Sequence, residues 1–216
     1  MVGQSNKGDR PRAVSPKAGM GPIRREQIVR ATIRCLAREG YTRLTMKKVA
    51  REAGVSQGIL HYYFADKRAM LVATLTTVSR DLDRRVAAAQ SRTTRDPAAR
   101  LRALVRACLE VAVRRPEFWV VFLEFWGEMV HDRRLREVNA EVYARTRRLI
   151  GRLITEGVRA GRFRAVDPER AAAVVLGLVD GVSLQLTFDP RAFSVTEAAR
   201  LCDAALARYL STEVSR

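Results

Sequence analysis

The side chains with most chemistry to offer stand close together between Thr45 and Lys67. Gln57 carries an amide that pairs bidentately with adenine, and His61 and Tyr62 add polar edges one helical turn further on. Gly58 allows close backbone approach, and Ile59 offers an apolar contact for a thymine methyl. Lys47, Lys48, Arg51 and Lys67 surround this group with the positive charge that phosphate contacts need. Together these types describe a surface that reads double-stranded DNA.

A second concentration runs from Phe118 to Met129. Phe118, Phe122, Phe125 and Met129 fall on one helix face with Trp119 and Trp126 beside it, and Glu124 and Glu128 stand among them. Cys108, Asp180 and Gln185 are expected on facing helices. This pattern is either plain core or a mostly apolar cavity with a few polar groups, as a small-molecule sensor requires. Aromatic rings with a carboxylate suit a cationic or amphipathic ligand. The identity of such an effector does not follow from these residues.

Enzyme chemistry does not assemble. The chain has two histidines, His61 and His131, and no nucleophile, base and orienter gather around the second. Cys35, Cys108 and Cys202 are far apart, without a CxxC pair or a Cys/His cluster, so no metal, disulfide or other cofactor is expected.

The elements that must position these groups follow from caps and breakers. Thr45 caps one short helix and Gly54 stops it, since glycine enters a left-handed turn without steric penalty. Val55 plugs the corner, and Ser56 caps a second helix over residues 57–64. Two short helices crossed after a Gly turn form the helix-turn-helix layout, whose second helix enters the major groove. The bland alternative is an αα corner inside a bundle. Upstream, Pro22 precedes a helix that ends at Gly40. Downstream, the spacing predicts helices over 67–91, 97–113, 116–131 and 133–160, then one from Pro168 to before Pro190 and one over 195–210. Asp96-Pro97, Asp167-Pro168 and the Ser194/Glu197 capping box mark three of the starts. No stretch alternates with period two, so the expected fold is all-α.

The residues Ala53-Gly54-Val55-Ser56-Gln57-Gly58, then Leu60, Tyr63-Phe64 and Lys67, resemble the DNA-binding domain of TetR-family transcriptional regulators. Ile28, Ala31, Thr32, Cys35, Leu36, Gly40-Tyr41 and Leu44-Thr45 extend the likeness, which covers residues 24–71. Ile59 and His61 depart from the commonest pattern, where Thr and Tyr are frequent, and this bears on the operator sequence. The resemblance implies that Thr45, Lys48, Tyr63 and Lys67 hold the phosphate backbone at the groove edges. From Phe125-Trp126 through Val166–Ala173 to Gly181 the chain is similar, more loosely, to the C-terminal domain of BetI-type members. There the last two helices pair with a second subunit as a four-helix bundle.

Composition agrees. Ala173, Gly177 and Gly181 recur every four residues, leaving one helix face with almost no bulk. Glycine costs a helix about 1 kcal/mol relative to alanine, so close approach of another backbone is the expected reason. Ala198, Cys202, Ala205, Leu206 and Tyr209 make an apolar seam on the last helix, and both faces are assigned to a homodimer; packing inside one protomer is the alternative. The formal charge of +17 is concentrated: residues 1–67 hold fourteen Lys/Arg against five Asp/Glu. Residues 1–21 read as a disordered basic tail, 22–67 as the DNA-binding head and 68–216 as a ligand-binding and dimerisation body. The Arg-rich run from 133 to 164 reads as a solvated face with i,i+4 pairs such as Glu141–Arg145. No secretory segment and no apolar run long enough to span a bilayer are apparent, so a cytoplasmic protein without a membrane partner is expected. The leading expectation is a homodimeric repressor on a palindromic operator, released by a small-molecule effector. A same-fold activator, a regulator answering to a protein, an enzyme and a non-specific architectural binder are the alternatives.

Overall fold

Capping side chains divide the chain as anticipated. The computed structural model describes residues 16–212, the side chains of residues 16–20 and of Phe118 left aside. Among the described residues the regular structure is helical: α1 (Pro16–Arg43), α2 (Met46–Glu52), α3 (Gln57–Tyr63), α4 (Lys67–Ser91), α5 (Pro97–Arg114), α6 (Pro116–Met129), α7 (Arg133–Arg159), α8 (Pro168–Phe188) and α9 (Val195–Leu210). Asp66, Asp96, Asp132 and Asp167 each accept a backbone N–H at the start of α4, α5, α7 and α8. Such caps contribute about 1 kcal/mol each. Ser194 and Glu197 exchange both bonds of the capping box at α9, at 3.2 and 2.7 Å.

The start of α1 corrects one expectation. The helix begins at Pro16 and carries Pro22 inside it. Proline's locked φ is compatible with a helix, but Pro22 removes the N–H that would bond the Ala18 carbonyl, and its ring crowds that carbonyl. Residues 16–21, assigned to the tail, are helical all the same, and residues 1–15 lie outside the described range. At the other end Gly40 takes φ +74°, and regular α1 geometry breaks there.

Two apolar cores hold the molecule, and they do not divide where the chain order suggests. The first joins α1, α2 and α3 to the first half of α4, to Val121, Phe122, Phe125 and Met129 of α6, and to Leu135 of α7. The second joins Val86 of α4 to α5, to the later part of α7, and to α8 and α9. So α6 packs with the head as much as with the body, and α4 runs through both cores.

Helix α8 corrects another expectation. It is long and apolar enough to cross a membrane by length and composition, yet only 33% of its most apolar window is buried in the protomer. It is a body helix packed on α5, α7 and α9, with Asp180 in its middle. Its apolar character comes from two faces, one buried and one open.

Candidate DNA-reading face and effector cavity

The reading element is built by local bonds. Thr45 accepts the Lys48 N–H at 3.2 Å and Ser56 accepts the Ile59 N–H at 3.2 Å, starting α2 and α3. Between them Gly54 takes φ +64°. Its N–H donates to the Arg51 carbonyl at 3.1 Å, and that of Val55 to the Ala50 carbonyl at 2.9 Å. That pair of bonds is a Schellman turn, which needs the left-handed residue glycine supplies. Gln27 donates to the Ala53 carbonyl at 2.7 Å, and Arg34 and Arg38 of α1 grip Glu52 at 2.7 and 3.2 Å. The turn is thereby fastened to α1.

On α3, Leu60 is buried against the head core, followed by Phe64 at the cap, and everything opposite is open. Gln57, Gly58, Ile59, His61 and Tyr62 are exposed; Tyr62 is 83% and Ile59 43% accessible. Tyr63 is half-buried, edge-on to Tyr62 at 5.1 Å. A short helix that turns an amide, an imidazole, a phenol and a branched alkyl group outward has the set of groups that base edges require. Thr45, Lys47, Arg51 and Ser56 are exposed beside it.

Two lysines expected on phosphate are engaged within the chain. Lys48 pairs with Glu39 and donates to the Arg43 carbonyl at 3.0 Å. The Lys67 ammonium donates to the Tyr41 carbonyl at 3.0 Å and stands 4.1 Å from the centre of the Tyr41 ring. Burial holds its pKa below the usual lysine value. Both residues fix the Gly40–Arg43 corner, a role that the residue types alone do not reveal.

The cavity lies in the body, a small space of about 70 Å³ that is partly open to solvent. Of the residues expected there, Cys108, Trp119, Phe122, Trp126 and Asp180 line it. Trp119 stands 6.1 Å from Phe122 and 6.2 Å from Trp126, ring to ring. Asp180 accepts the Tyr143 hydroxyl at 2.8 Å. Burial pushes the Asp180 carboxyl above the ordinary carboxylate range and the Tyr143 phenol well above the usual one. The Cys108 thiol is pushed up to about 12, chiefly by burial, and stays protonated. The Trp119 Nε1–H is buried without an acceptor among the described residues. The cavity thus presents aromatic faces, one carboxylate and one free N–H donor.

Four residues expected in the cavity lie elsewhere. Phe125 and Met129 are buried in the head core, turned roughly a quarter to a third of the way around α6 from Trp119. Glu124 points the same way and accepts the Tyr41 N–H at 2.7 Å; a Cβ at Gly40 would sit 3.4 Å from its carboxylate. Gln185 is exposed, its amide 3.4 Å from the Gly181 carbonyl of its own helix. Sequence reasoning missed Tyr143, Ser183 and Thr146, which line the cavity from α7 and α8. Tyr143 sits in the Arg-rich run, whose charge hid its inward face. Within that run Arg145 pairs with Asp83 at 3.0 Å, and Glu141 with Arg148 at 3.3 Å, in place of the expected Glu141–Arg145 pair.

The face assigned to dimerisation also separates. Ala173, Gly177, Gly181 and Ala205 are exposed, whereas Ala198 and Cys202 are buried in the protomer's own core and Tyr209 is half-buried under Arg164. The α9 residues i, i+4 and i+8 that look like a seam are the inward face. The open apolar positions are Leu201 on α9 and Val174 and Phe188 on α8, the last 72% accessible.

Comparison with known proteins gives this architecture its class. Residues 28–74 match the model of bacterial regulatory proteins of the tetR family, and residues 97–211 that of the BetI-type transcriptional repressor C-terminal domain. The chain belongs to the TetR family of transcriptional regulators. It is 35% identical over 175 residues to the HTH-type transcriptional regulator BetI of Burkholderia ambifaria, covering 79% of this chain and 85% of that protein. With BetI of Paraburkholderia phymatum it shares 34% over 195 residues, 87% and 93% of the two chains. Among solved structures, a putative transcriptional regulator from Saccharomonospora viridis in complex with choline superposes with a TM-score of 0.77 at 27% identity, covering 88% of this chain and 98% of the other. A putative regulator from Pseudomonas aeruginosa shares the fold, with a TM-score of 0.78 at 24% identity over 90% and 91%.

Proposed function

We propose that the chain is a homodimeric repressor whose grip on a palindromic operator is released by a small cationic effector bound in the α5–α8 cavity. Gln57, His61 and Tyr62 read base edges, with Gly58 and Ile59 against the groove floor. Thr45, Lys47, Lys48, Ser56, Tyr63 and Lys67 hold phosphates, the two engaged lysines through the side of the ammonium that their partners leave free. The body binds the effector and is not catalytic. Two-fold pairing sets the recognition helices on successive major grooves, about 34 Å apart.

One observation carries the reading. Helix α6 has Trp119, Phe122 and Trp126 on the cavity and Glu124 on the Gly40–Tyr41 corner of the head. A ligand that rearranges the aromatic face therefore moves the carboxylate that ties the head down. Cation–π contacts and the Asp180 charge favour a cation, and the choline held by the Saccharomonospora viridis regulator is a small ligand of that kind. Linkage requires reciprocity: an effector that weakens operator binding binds the DNA complex more weakly by the same factor.

For the second copy, α8 offers a flat apolar strip. A Cβ at Gly177 or Gly181 would meet nothing within 4 Å in the protomer, so the protomer itself gives no packing reason for either glycine. A neighbouring backbone does.

The test is fluorescence anisotropy on operator DNA selected from a random pool, titrated with choline and with hexyltrimethylammonium. Release by either cation is expected from the wild type. Asp180→Asn is expected to keep operator affinity and to lose most of the response. Full release from the Asn variant would place the cation site elsewhere.

A further inference from the structure

A side chamber adjoins the effector cavity. It lies between α4 and α7 over α5 and shares Leu82, Cys108 and Thr146 with the aromatic cavity. Its inner walls are apolar: Val86, Leu104 and Leu149. Its polar groups include two donors left unpaired. Among the described residues the Gln90 Nε2 and Arg145 Nε atoms are buried without an acceptor, and Arg152 stands exposed on the rim. The carboxylate present, Asp83, is taken by the Arg145 Nη2 atom at 3.0 Å.

A buried donor without an acceptor is costly, and more so on a charged group. Two such donors on residues that line one chamber call for oxygen. The charge balance narrows the choice. Two guanidiniums against Asp83 leave one net positive charge, which a singly charged anion neutralises and a doubly charged phosphate overshoots. The unpaired Nε–H of Arg145 also suits one oxygen of a carboxylate. At the junction, the Cys108 thiol and the Thr146 hydroxyl add no charge.

We propose that the side chamber is the carboxylate subsite of the effector site, so that the effector carries a cation at one end and a carboxylate at the other. The cationic end sits among Trp119, Trp126 and Asp180; the chain passes Leu82 and Thr146; the carboxylate ends on Arg145 and Gln90. This rests on the reading of the aromatic cavity as a cation site.

The experiment is calorimetry on the full-length protein with matched probes, ω-(trimethylammonio)hexanoate against hexyltrimethylammonium, extended as a series of lengthening methylene spacers. At the best spacer the carboxylate probe is expected to bind about tenfold tighter, as one charge-assisted contact provides. Gln90→Leu and, separately, Arg145→Leu are expected to remove that advantage while leaving hexyltrimethylammonium affinity unchanged. Two variants are used because Arg145 also braces α4 through Asp83; Gln90 makes no such contact. Equal affinity for both probes at every spacer overturns the carboxylate subsite and leaves the cation cavity standing. A carboxylate advantage that survives both substitutions overturns it as well. Binding of neither probe overturns both readings together.

Discussion

Burial lifts the Asp180 carboxyl above its ordinary range, while the Tyr143 hydroxyl pulls the other way. The folded protein therefore holds this proton more tightly than the unfolded chain. The stability that it contributes is full at low pH and is lost as pH rises through the raised pKa. A bound cation favours the ionised carboxylate. Effector affinity is thus expected to fall as pH drops through that same range, with protons released on binding near it. Calorimetry in buffers of different ionisation enthalpy reads the release directly, and Asp180→Asn should abolish it; unchanged release from that variant would implicate another group. On the reading face, Gln57 is exposed and pairs with nothing in its own chain among the described residues. Gln57→Ala is expected to cost about 1–3 kcal/mol on the operator and little on random DNA. Equal losses on both DNAs would exclude base reading by this residue.

Among the elements, α4 and α6 share the work of joining cavity to head. Helix α4 does so covalently, and its Arg68 is tied at 2.9 Å to Asp132 at the start of α7. Helix α6 does so by contact, through Glu124 on the Tyr41 N–H, while Glu128 acts electrostatically on Tyr41 and Lys67. Glu124 lines neither the cavity nor the reading face. Glu124→Ala is accordingly expected to leave effector binding intact and to shrink the factor by which effector weakens DNA binding. A charge-assisted bond contributes about 1.5–3 kcal/mol, comparable to a typical coupling energy of about 1–3 kcal/mol. The ratio of operator Kd with and without effector is the measurement; an unchanged ratio would assign transmission to α4 alone.

At the scale of the whole molecule, the protomer leaves α8 half covered. Val174, Phe188 and Leu201 stand open beside the Gly177–Gly181 strip, an apolar surface that a second protomer would remove from water. Gly177→Leu inserts bulk twice into a two-fold contact. Overpacking typically costs about 1–3 kcal/mol at each insertion, so monomers with weak operator binding are expected in sedimentation and anisotropy. The substitution has free space within the protomer, so loss of the fold is not expected. A normal dimer would move the interface off this strip.

Local chemistry was enough to locate what local chemistry determines. Caps and breakers at Thr45, Gly54, Ser56, Asp96 and Asp167 placed helix ends within a few residues, since a cap acts through bonds to its own next turn. The exposed side of α3 followed, because one short helix with Leu60 as its buried residue supplies it. The cavity did not follow so well, because its walls come from five helices and each wall is chosen by rotation. Trp119 and Phe122 face in, while Glu124 and Phe125, two or three residues on, face the head. Ala198 and Cys202 turn inward for the same reason, and only the packing of α9 on α5 shows it. Sequence by itself determined the helical fold and the family, and it singled out the exposed face of α3. Tertiary structure decided which face of each helix is inside, because an apolar stripe states that a face will be covered but not by which neighbour.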